Sequence, residues 1–233
     1  MSIKIGLHAI VRGHLSTIED CLRSCRDFVD YMVVAVDSRS DSDQTFRICQ
    51  KIAGKGAYRQ DWQDDFGWAR NDALYKLLET HPDTDYVMWI DADDRVAGKS
   101  EGSASFSDLR ARLEEMQPYV VSSPYVYRKD NLSSDEAPVL QYHRNRIWKH
   151  LPGNPPLRVW DGAAHECDVE NSGDGMLRDA ISNKYGPAVM WNDFIVIHRK
   201  EKKVEGSNER NIKILEAAHK KNPTHPRTMF YLA

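Results

Sequence analysis

Several features that define broad protein classes are missing from this 233-residue sequence. No apolar run approaches the roughly 18 residues of a membrane-spanning helix, and the first residues lack the apolar segment of a secretion signal. The 32 basic and 35 acidic residues nearly cancel, so a general electrostatic attraction for nucleic acid is not expected. The four cysteines form no CxxC pair, which is typical of reduced thiols and predicts a cytoplasmic protein.

Glycine-rich phosphate-binding loops are also missing. No G-x-G-x-x-G follows the first apolar stretch, which disfavours a Rossmann oxidoreductase. The segment 10–16 contains one glycine, whereas a nucleotidyltransferase commonly carries an early Gly-rich, basic loop for its triphosphate. A nucleotidyltransferase is still the first alternative enzyme, because it also combines an α/β sheet with paired acids on a metal.

Strands and helices alternate in roughly the first ninety residues. Apolar segments predict strands at residues 3–11, 31–36 and 86–90, and helical periodicity predicts helices between them. This alternation favours a mostly parallel sheet wrapped by helices, in which ligands bind beyond the carboxyl ends of the strands. The polar groups that end the three strands are therefore expected to meet in one crevice.

The second half of the chain is less regular. Helical periodicity predicts a helix at residues 108–116, and strands at 119–128 and 139–148 are expected to pair as a hairpin. One further strand is predicted at 189–197 and ends at His198.

An acidic cluster, Asp91-Ala92-Asp93-Asp94, directly follows the third predicted strand. Clustered carboxylates repel one another unless a cation or several donors neutralise them. Mg²⁺ and Mn²⁺ favour such oxygen ligands and can bridge to phosphates. A solvated acidic turn usually explains an isolated D-x-D string. Here the preceding strand and the second acidic strand end at Asp37 favour a metal site.

Three stretches in this order resemble family 2 glycosyltransferases of the GT-A fold. They are residues 37–41 (DSRSD), 65–71 (DFGWARN) and 89–94 (WIDADD). The resemblance extends over roughly residues 3–200. It implies a Rossmann-like, three-layer α/β/α sandwich with a mostly parallel central sheet. It also implies a metal-dependent enzyme that moves a sugar from a nucleotide-sugar, with UDP as the commonest nucleotide, to an acceptor hydroxyl.

The resemblance assigns a group of residues to the nucleotide-sugar donor. Asp37 matches the acid that contacts the base or ribose. Arg70 matches a basic residue near the donor, where a guanidinium can hold phosphate. Asp91 matches the first acid, which meets the ribose or the metal. Ala9 and Val11 of the first strand are assigned to the same donor site.

The metal ligands and the catalytic base are assigned in the same way. Asp93 matches the principal ligand of Mn²⁺ or Mg²⁺, with Asp91 beside it. His198 resembles the late histidine that completes the metal shell, although a strand-end histidine with a local partner is an equal alternative. Glu166 lies in a Gly-x-x-His-Glu stretch that borders the acceptor, and it is the candidate base. His165 is the alternative base.

Two features near the candidate base stand out. Ala163 and Ala164 are smaller than the pair expected at these positions. Packing in the core or at its rim is the better explanation for most of the tryptophans, and Trp160 is the one best placed to stack on an acceptor sugar. No second carboxylate is assigned as a nucleophile, so a single displacement with inversion is expected. A non-catalytic module that binds a sugar nucleotide or a protein is the alternative outside enzymes.

The end of the chain resembles the junction at which some family 2 transferases run into a tetratricopeptide-like helical array. An amphipathic helix is predicted at residues 205–220, and an apolar helix starts at Arg227. We therefore divide the chain into a GT-A domain, residues 1–203, and a C-terminal helical extension, residues 204–233. The natural protein is expected to continue, or to form an oligomer through these helices. The acceptor is left open between a protein, a lipid-linked glycan and a small molecule.

Overall fold

The computed structural model describes ten segments of the chain: residues 2–13, 16–39, 43–98, 106–128, 140–151, 160–164, 167–168, 186–192, 194–199 and 207–233. The strands are β1 (Ile5–Val11), β2 (Tyr31–Asp37), β3 (Ala57–Gln60), β4 (Tyr86–Asp91), β5 (Asp94–Gly98), β6 (Val120–Arg128), β7 (Leu140–Lys149), β8 (Trp160–Asp161), β9 (Cys167–Asp168), β10 (Ala188–Met190) and β11 (Phe194–Arg199). The helices are α1 (Ile18–Arg26), α2 (Asp43–Ala53), α3 (Phe66–Thr80), α4 (Phe106–Met116), α5 (Ser207–Lys221) and α6 (Pro226–Leu232).

One large sheet organises the domain, in the order β3-β2-β1-β4-β7-β6-β11-β5, with β10 also paired to β6. The first four strands of this order are parallel. Strand β7 runs antiparallel to both of its neighbours, and β5 runs antiparallel to β11. The remaining pairs, β6 with β10 and with β11, are parallel. The expectation of a mostly parallel sheet is therefore confirmed.

Helices cover both faces of the sheet, as expected for a three-layer sandwich. Alternate residues of a strand point to opposite faces. Ile5 and Leu7 of β1 join the large core with buried side chains of α1, α2 and α4. Gly6 faces α3 instead, because a Cβ at this position would lie 2.8 Å from Leu77 of that helix. Cys21 and Cys25, one helical turn apart in α1, are buried in the same large core.

Two details of the sheet differ from the sequence prediction. The strand predicted at 189–197 is two strands, β10 and β11. Met190 pairs with Ser122, and Val196 pairs with Tyr125. Six positions along one chain thus match three along β6, so continuous pairing is impossible. Strand β5 was not predicted, because it is held by pairing with β11 about a hundred residues later in the chain.

The C-terminal helices pack on the sheet domain through one face of α5. Ile214 and Leu215 are buried against Ala163 and Ala164. Ile212 of the same helix is half exposed, and α6 exposes Phe230. The boundary near residue 203 stays a prediction. In the described part of the chain no helix is long and apolar enough to cross a membrane.

His8 provides a test of the packing between the sheet and α3. The side chain is fully buried, and burial together with the charge of Arg70 lowers the pKa of His8 from 6.5 to about 3. Below pH 6.5 His8 therefore binds a proton in the unfolded state but not in the folded state. The free energy of unfolding should be highest above this pH and fall by about 2 kcal/mol between pH 7.5 and pH 5.

Urea unfolding of the wild type and of His8→Leu at the two pH values measures this effect. The variant lacks the titrating group, so its loss of stability on acidification should be smaller by about 2 kcal/mol. Equal losses in the two proteins would contradict a neutral, buried His8.

Candidate functional site

The carboxyl ends of β1, β2 and β4 lie side by side at one edge of the sheet, where the sequence predicted that their polar groups meet. Strand β1 lies between the other two: the chain goes from β1 to β2 and β3 on one side and then returns to β4 on the other. Asp37 ends β2, and one of its carboxylate oxygens lies 3.6 Å from Nε of Arg12, which follows β1. The backbone N–H of Arg39 donates to Asp37 at 2.9 Å. This buried carboxylate is therefore paired with two partly exposed arginines, Arg12 and Arg39, at this edge of the sheet.

Ala9 and Val11 contribute backbone rather than side chains to this edge. Both side chains are buried in the core on the α1 and α2 face of the sheet. Ala9 is also paired on both sides, with Val34 and with Ile90. Any contact between these two residues and a donor must therefore come through the backbone at the end of the strand.

Asp91, at the end of β4, is held by arginines. An Nη of Arg70 donates to Oδ1 of Asp91 at 2.5 Å, and Nη1 of Arg144 lies 3.6 Å from Oδ2. Burial raises the pKa of Asp91, but the charges of Arg70, Arg144 and Arg146 outweigh burial and lower it well below its usual range. Asp91 is therefore a carboxylate at any physiological pH.

Arg70 is fixed by aromatic rings as well as by Asp91. Its guanidinium carbon lies 4.8 Å from the ring centre of Trp89 and 4.9 Å from that of Trp160. Trp160 also packs edge-on against Trp89, with ring centres 4.6 Å apart, and is buried. The burial of Trp160 agrees with the packing role that best explains most of the tryptophans, and it leaves little ring surface for an acceptor sugar.

The motif at residues 65–71 positions the chain that leads to the candidate base. Asn71 both accepts from the backbone N–H of Trp160 at 2.6 Å and donates to its carbonyl at 2.9 Å. The N–H of Phe66 donates to the carbonyl of Ala163. Gly67 is needed here, because a Cβ would lie 2.7 Å from the carbonyl oxygen of Gly162. The motif thus clamps residues 160–163 in place.

The small size of Ala163 and Ala164 has a structural explanation. Both are buried in a cluster with Ile214 and Leu215 of α5. Larger side chains would displace this helix. His165 and Glu166, the two candidate bases, follow directly in the sequence and lie outside the described residues.

Asp94 is fully buried and satisfied by side chains from three other strands. Arg146 of β7 donates to Oδ2 at 2.9 Å, and the hydroxyl of Tyr125 on β6 donates to Oδ1 at 3.0 Å. Nδ1 of His198 on β11 lies 3.1 Å from the same Oδ1. Because a carboxylate only accepts hydrogen bonds, the proton of this contact belongs to Nδ1. The other ring nitrogen of a neutral His198 then carries the lone pair.

Asp93, Asp94 and His198 form a possible metal site. Each offers one ligand atom within 4.8 Å of the others. Nδ1 of His198 is 3.6 Å from Oδ1 of Asp93, and both side chains are partly exposed. Two carboxylates and an imidazole suit Mn²⁺ and, less well, Mg²⁺. The structure thus brings the predicted ligands Asp93 and His198 together, whereas Asp91 is paired with arginines.

The turn that presents these acids is tied to helix α1. The hydroxyl of Thr17 donates to the carbonyl of Ala92 at 3.0 Å, and Sγ of Cys21 lies 3.2 Å from the carbonyl oxygen of Asp91.

Burial lowers the pKa of His198, but the bond to Asp94 and the charge of Asp93 outweigh it, so the pKa is raised.

The sequence analysis missed the parts of the site that come from β6 and β7. Arg144 and Arg146 alternate along β7 and lie on one side of it beside Trp89. Tyr125 lies under the same two guanidinium groups. The signal was present as an Arg-x-Arg alternation within a predicted strand, since two charges on one face of a central strand require buried partners.

Comparisons with known proteins define the class. Residues 10–149, more than half of the chain, match the family model of glycosyl transferase family 2. The chain therefore belongs to this family, and its sheet domain is a family 2 glycosyltransferase domain.

One curated protein and two solved structures are similar to the chain. The chain is 30% identical to a TPR repeat-containing protein of Synechococcus elongatus over 112 residues, which is 48% of this chain and 25% of that protein. The structure of GalNAc-T7 with UDP, GalNAc and Mn²⁺ has a TM-score of 0.52 at 11% identity, over 92% of this chain and 48% of that one. A mycobacterial protein has a TM-score of 0.50 at 13% identity, over 93% and 74%. The chain thus spans about a quarter of the curated relative, and the structural likeness shows the fold.

The two neighbouring acids Asp93 and Asp94 should respond differently to amide substitution. Asp94→Asn leaves the buried guanidinium of Arg146 without its carboxylate, which should cost about 3–5 kcal/mol of unfolding free energy. Asp93→Asn changes a partly exposed group and should stay within about 1 kcal/mol of the wild type.

Chemical denaturation of both variants in a chelator, so that no metal contributes, measures the difference. Comparable losses in the two variants would show that Asp94 is not the buried structural charge described above.

Proposed function

We propose that this chain transfers a sugar from a nucleotide-sugar, in the first instance a UDP-sugar, to an acceptor hydroxyl, with help from Mn²⁺ or Mg²⁺. The observation that carries the proposal is the meeting of Asp93 and His198, from opposite halves of the chain, at the carboxyl end of β4. Ligands of α/β sheets bind at this end of the strands. The family supports sugar transfer as the reaction class.

The charge of the site supports a diphosphate ligand. Three carboxylates lie beside three guanidinium groups, so their formal charges cancel: Asp91, Asp93 and Asp94 against Arg70, Arg144 and Arg146. A divalent ion adds two positive charges to this neutral set. The loaded site then has the sign that attracts the diphosphate of a nucleotide-sugar.

Different residues are proposed to bind the nucleoside, the diphosphate and the metal. Asp37 is placed to accept hydrogen bonds from the nucleoside at the end of β2, while the acidic turn after β4 faces the diphosphate. Asp93 and His198 are the residues that would hold the metal, and Asp94 orients the ring of His198. The metal, when bound, supplies positive charge that stabilises the leaving diphosphate.

The catalytic base is proposed to be Glu166, with His165 as the alternative. Glu166 takes the proton of the acceptor hydroxyl as that oxygen attacks the anomeric carbon. The bond to the nucleoside diphosphate breaks in the same displacement, so the anomeric configuration inverts. The acceptor is a protein, a lipid-linked glycan or a small molecule.

The C-terminal helices are proposed to open a helical repeat region. The relative from Synechococcus elongatus is described as TPR repeat-containing. Exposed apolar side chains on α6, among them Met229 and Phe230, suit packing against a following helix or a second subunit.

Calorimetric titration of UDP with Mn²⁺ or with chelator tests the donor site. Binding should require Mn²⁺ and weaken at least tenfold in Asp93→Ala, because the metal loses a charged ligand. Glu79→Gln, which removes an exposed acid at the far end of α3, is the control and should bind like the wild type. If UDP fails, GDP and dTDP are titrated. If none of the three nucleotides binds, the chain is better explained as a non-catalytic module.

Turnover tests the base and the stereochemistry. Glu166→Gln should lower kcat by about 10²–10⁴ and leave the Kd of UDP unchanged, since the base acts on the acceptor. NMR of the first-formed product should show inversion, and retention would exclude a single displacement. Full activity of Glu166→Gln together with loss in His165→Gln would assign the base to His165. Pyrophosphate release from UTP would instead indicate a nucleotidyltransferase.

A further inference from the structure

Three arginines surround the acidic turn, and two of them are fixed in place. Arg146 is fully buried and donates to Asp94 at 2.9 Å. The side chain of Arg70 is 7% exposed, donates to Asp91 at 2.5 Å and contacts two tryptophan rings that pack against each other. A ligand would have to break these buried pairs to use either guanidinium, which is costly.

Arg144 is held differently. Its closest carboxylate oxygen, on Asp91, is 3.6 Å away, which is longer than a hydrogen bond, and its side chain is 26% exposed. The guanidinium carbon lies 4.7 Å from the ring centre of Trp89 and 5.0 Å from that of Tyr125. Cation–π contacts with these two rings hold the guanidinium group in position. The N–H donors lie around the edge of the guanidinium group.

Arg144 also adjoins the possible metal site. The ring of Tyr125, against which Arg144 packs, has its centre 5.7 Å from the ring centre of His198, and its hydroxyl donates to Asp94. Arg144 and the candidate metal ligands thus share Tyr125 and the acidic turn as neighbours, so the guanidinium belongs to the same part of the site as a diphosphate bound at Asp93 and His198. Guanidinium groups bind phosphate through two parallel N–H donors, which a metal ion alone does not supply.

We propose that Arg144 is the residue that binds the diphosphate of the nucleotide-sugar donor, releasing Asp91 as it turns to the phosphate oxygens. This inference rests on the proposed function and assigns to β7 a role that no motif of the chain indicates. Arg70 and Arg146 then serve to keep Asp91 and Asp94 in position.

The test compares a nucleotide with phosphates and a nucleoside without them. UDP and uridine are titrated in Mn²⁺ against the wild type, Arg144→Gln and Arg144→Lys. Arg144→Gln should weaken UDP binding about tenfold or more and change uridine binding less than about twofold. Arg144→Lys keeps the charge but not the paired donors, so its loss should be intermediate.

Lys149→Gln is the matched control, because it removes one positive charge from the other end of β7, where Lys149 bonds Gln117. Thermal unfolding verifies that each variant is folded, and Arg144→Lys carries the comparison should Arg144→Gln unfold. UDP binding by both Arg144 variants equal to that of Lys149→Gln overturns the inference alone. Equal weakening of UDP and uridine also overturns it, since Arg144 would then act by shaping the site. A wild type that binds no nucleoside diphosphate overturns the inference together with the proposed function.

Discussion

The buried carboxylate of Asp94 joins the four strands that build the site. It begins β5, directly after the turn that follows β4, and its partners Arg146, Tyr125 and His198 come from β7, β6 and β11. A buried charge of this kind is tolerated only when its partners are all in place. The geometry of the acidic turn therefore depends on the complete sheet, including strands that contribute no recognisable motif. Helix α1 fixes the same turn from the opposite side through Thr17.

The network separates charges that support the site from charges that a ligand can reach. Burial and close pairing immobilise Arg70, Arg146 and Asp94, while Asp93 and Arg144 keep partly exposed side chains. The proposed nucleotide-sugar donor would meet a site whose reachable groups are already oriented by the buried ones. Such preorganisation lowers the reorganisation that binding and charge development would otherwise require.

The local features of the fold were readable from the sequence, and the long-range ones were not. Apolar segments located β1, β2 and β4, and the rule that ligands bind at the carboxyl ends of parallel strands located the crevice. It also brought Asp37 and Asp91 to one edge. Strand β5 and the division of β10 from β11 depend on partners distant in sequence. For the same reason the sequence does not distinguish the buried Asp94 from the other acids of its cluster. The assignment of Glu166 stays a prediction.

The contact between α5 and the segment before the candidate base links the two predicted parts of the chain. Ala163 and Ala164 are small because Ile214 and Leu215 fill the space above them. Phe66 and Asn71 of α3 hold the same segment through hydrogen bonds to its backbone. Helix α5 thus packs against the segment that precedes the candidate base, and it is also the first helix of the predicted C-terminal extension. A displacement of α5 would remove packing from residues 163–164 and so loosen the chain immediately before His165 and Glu166.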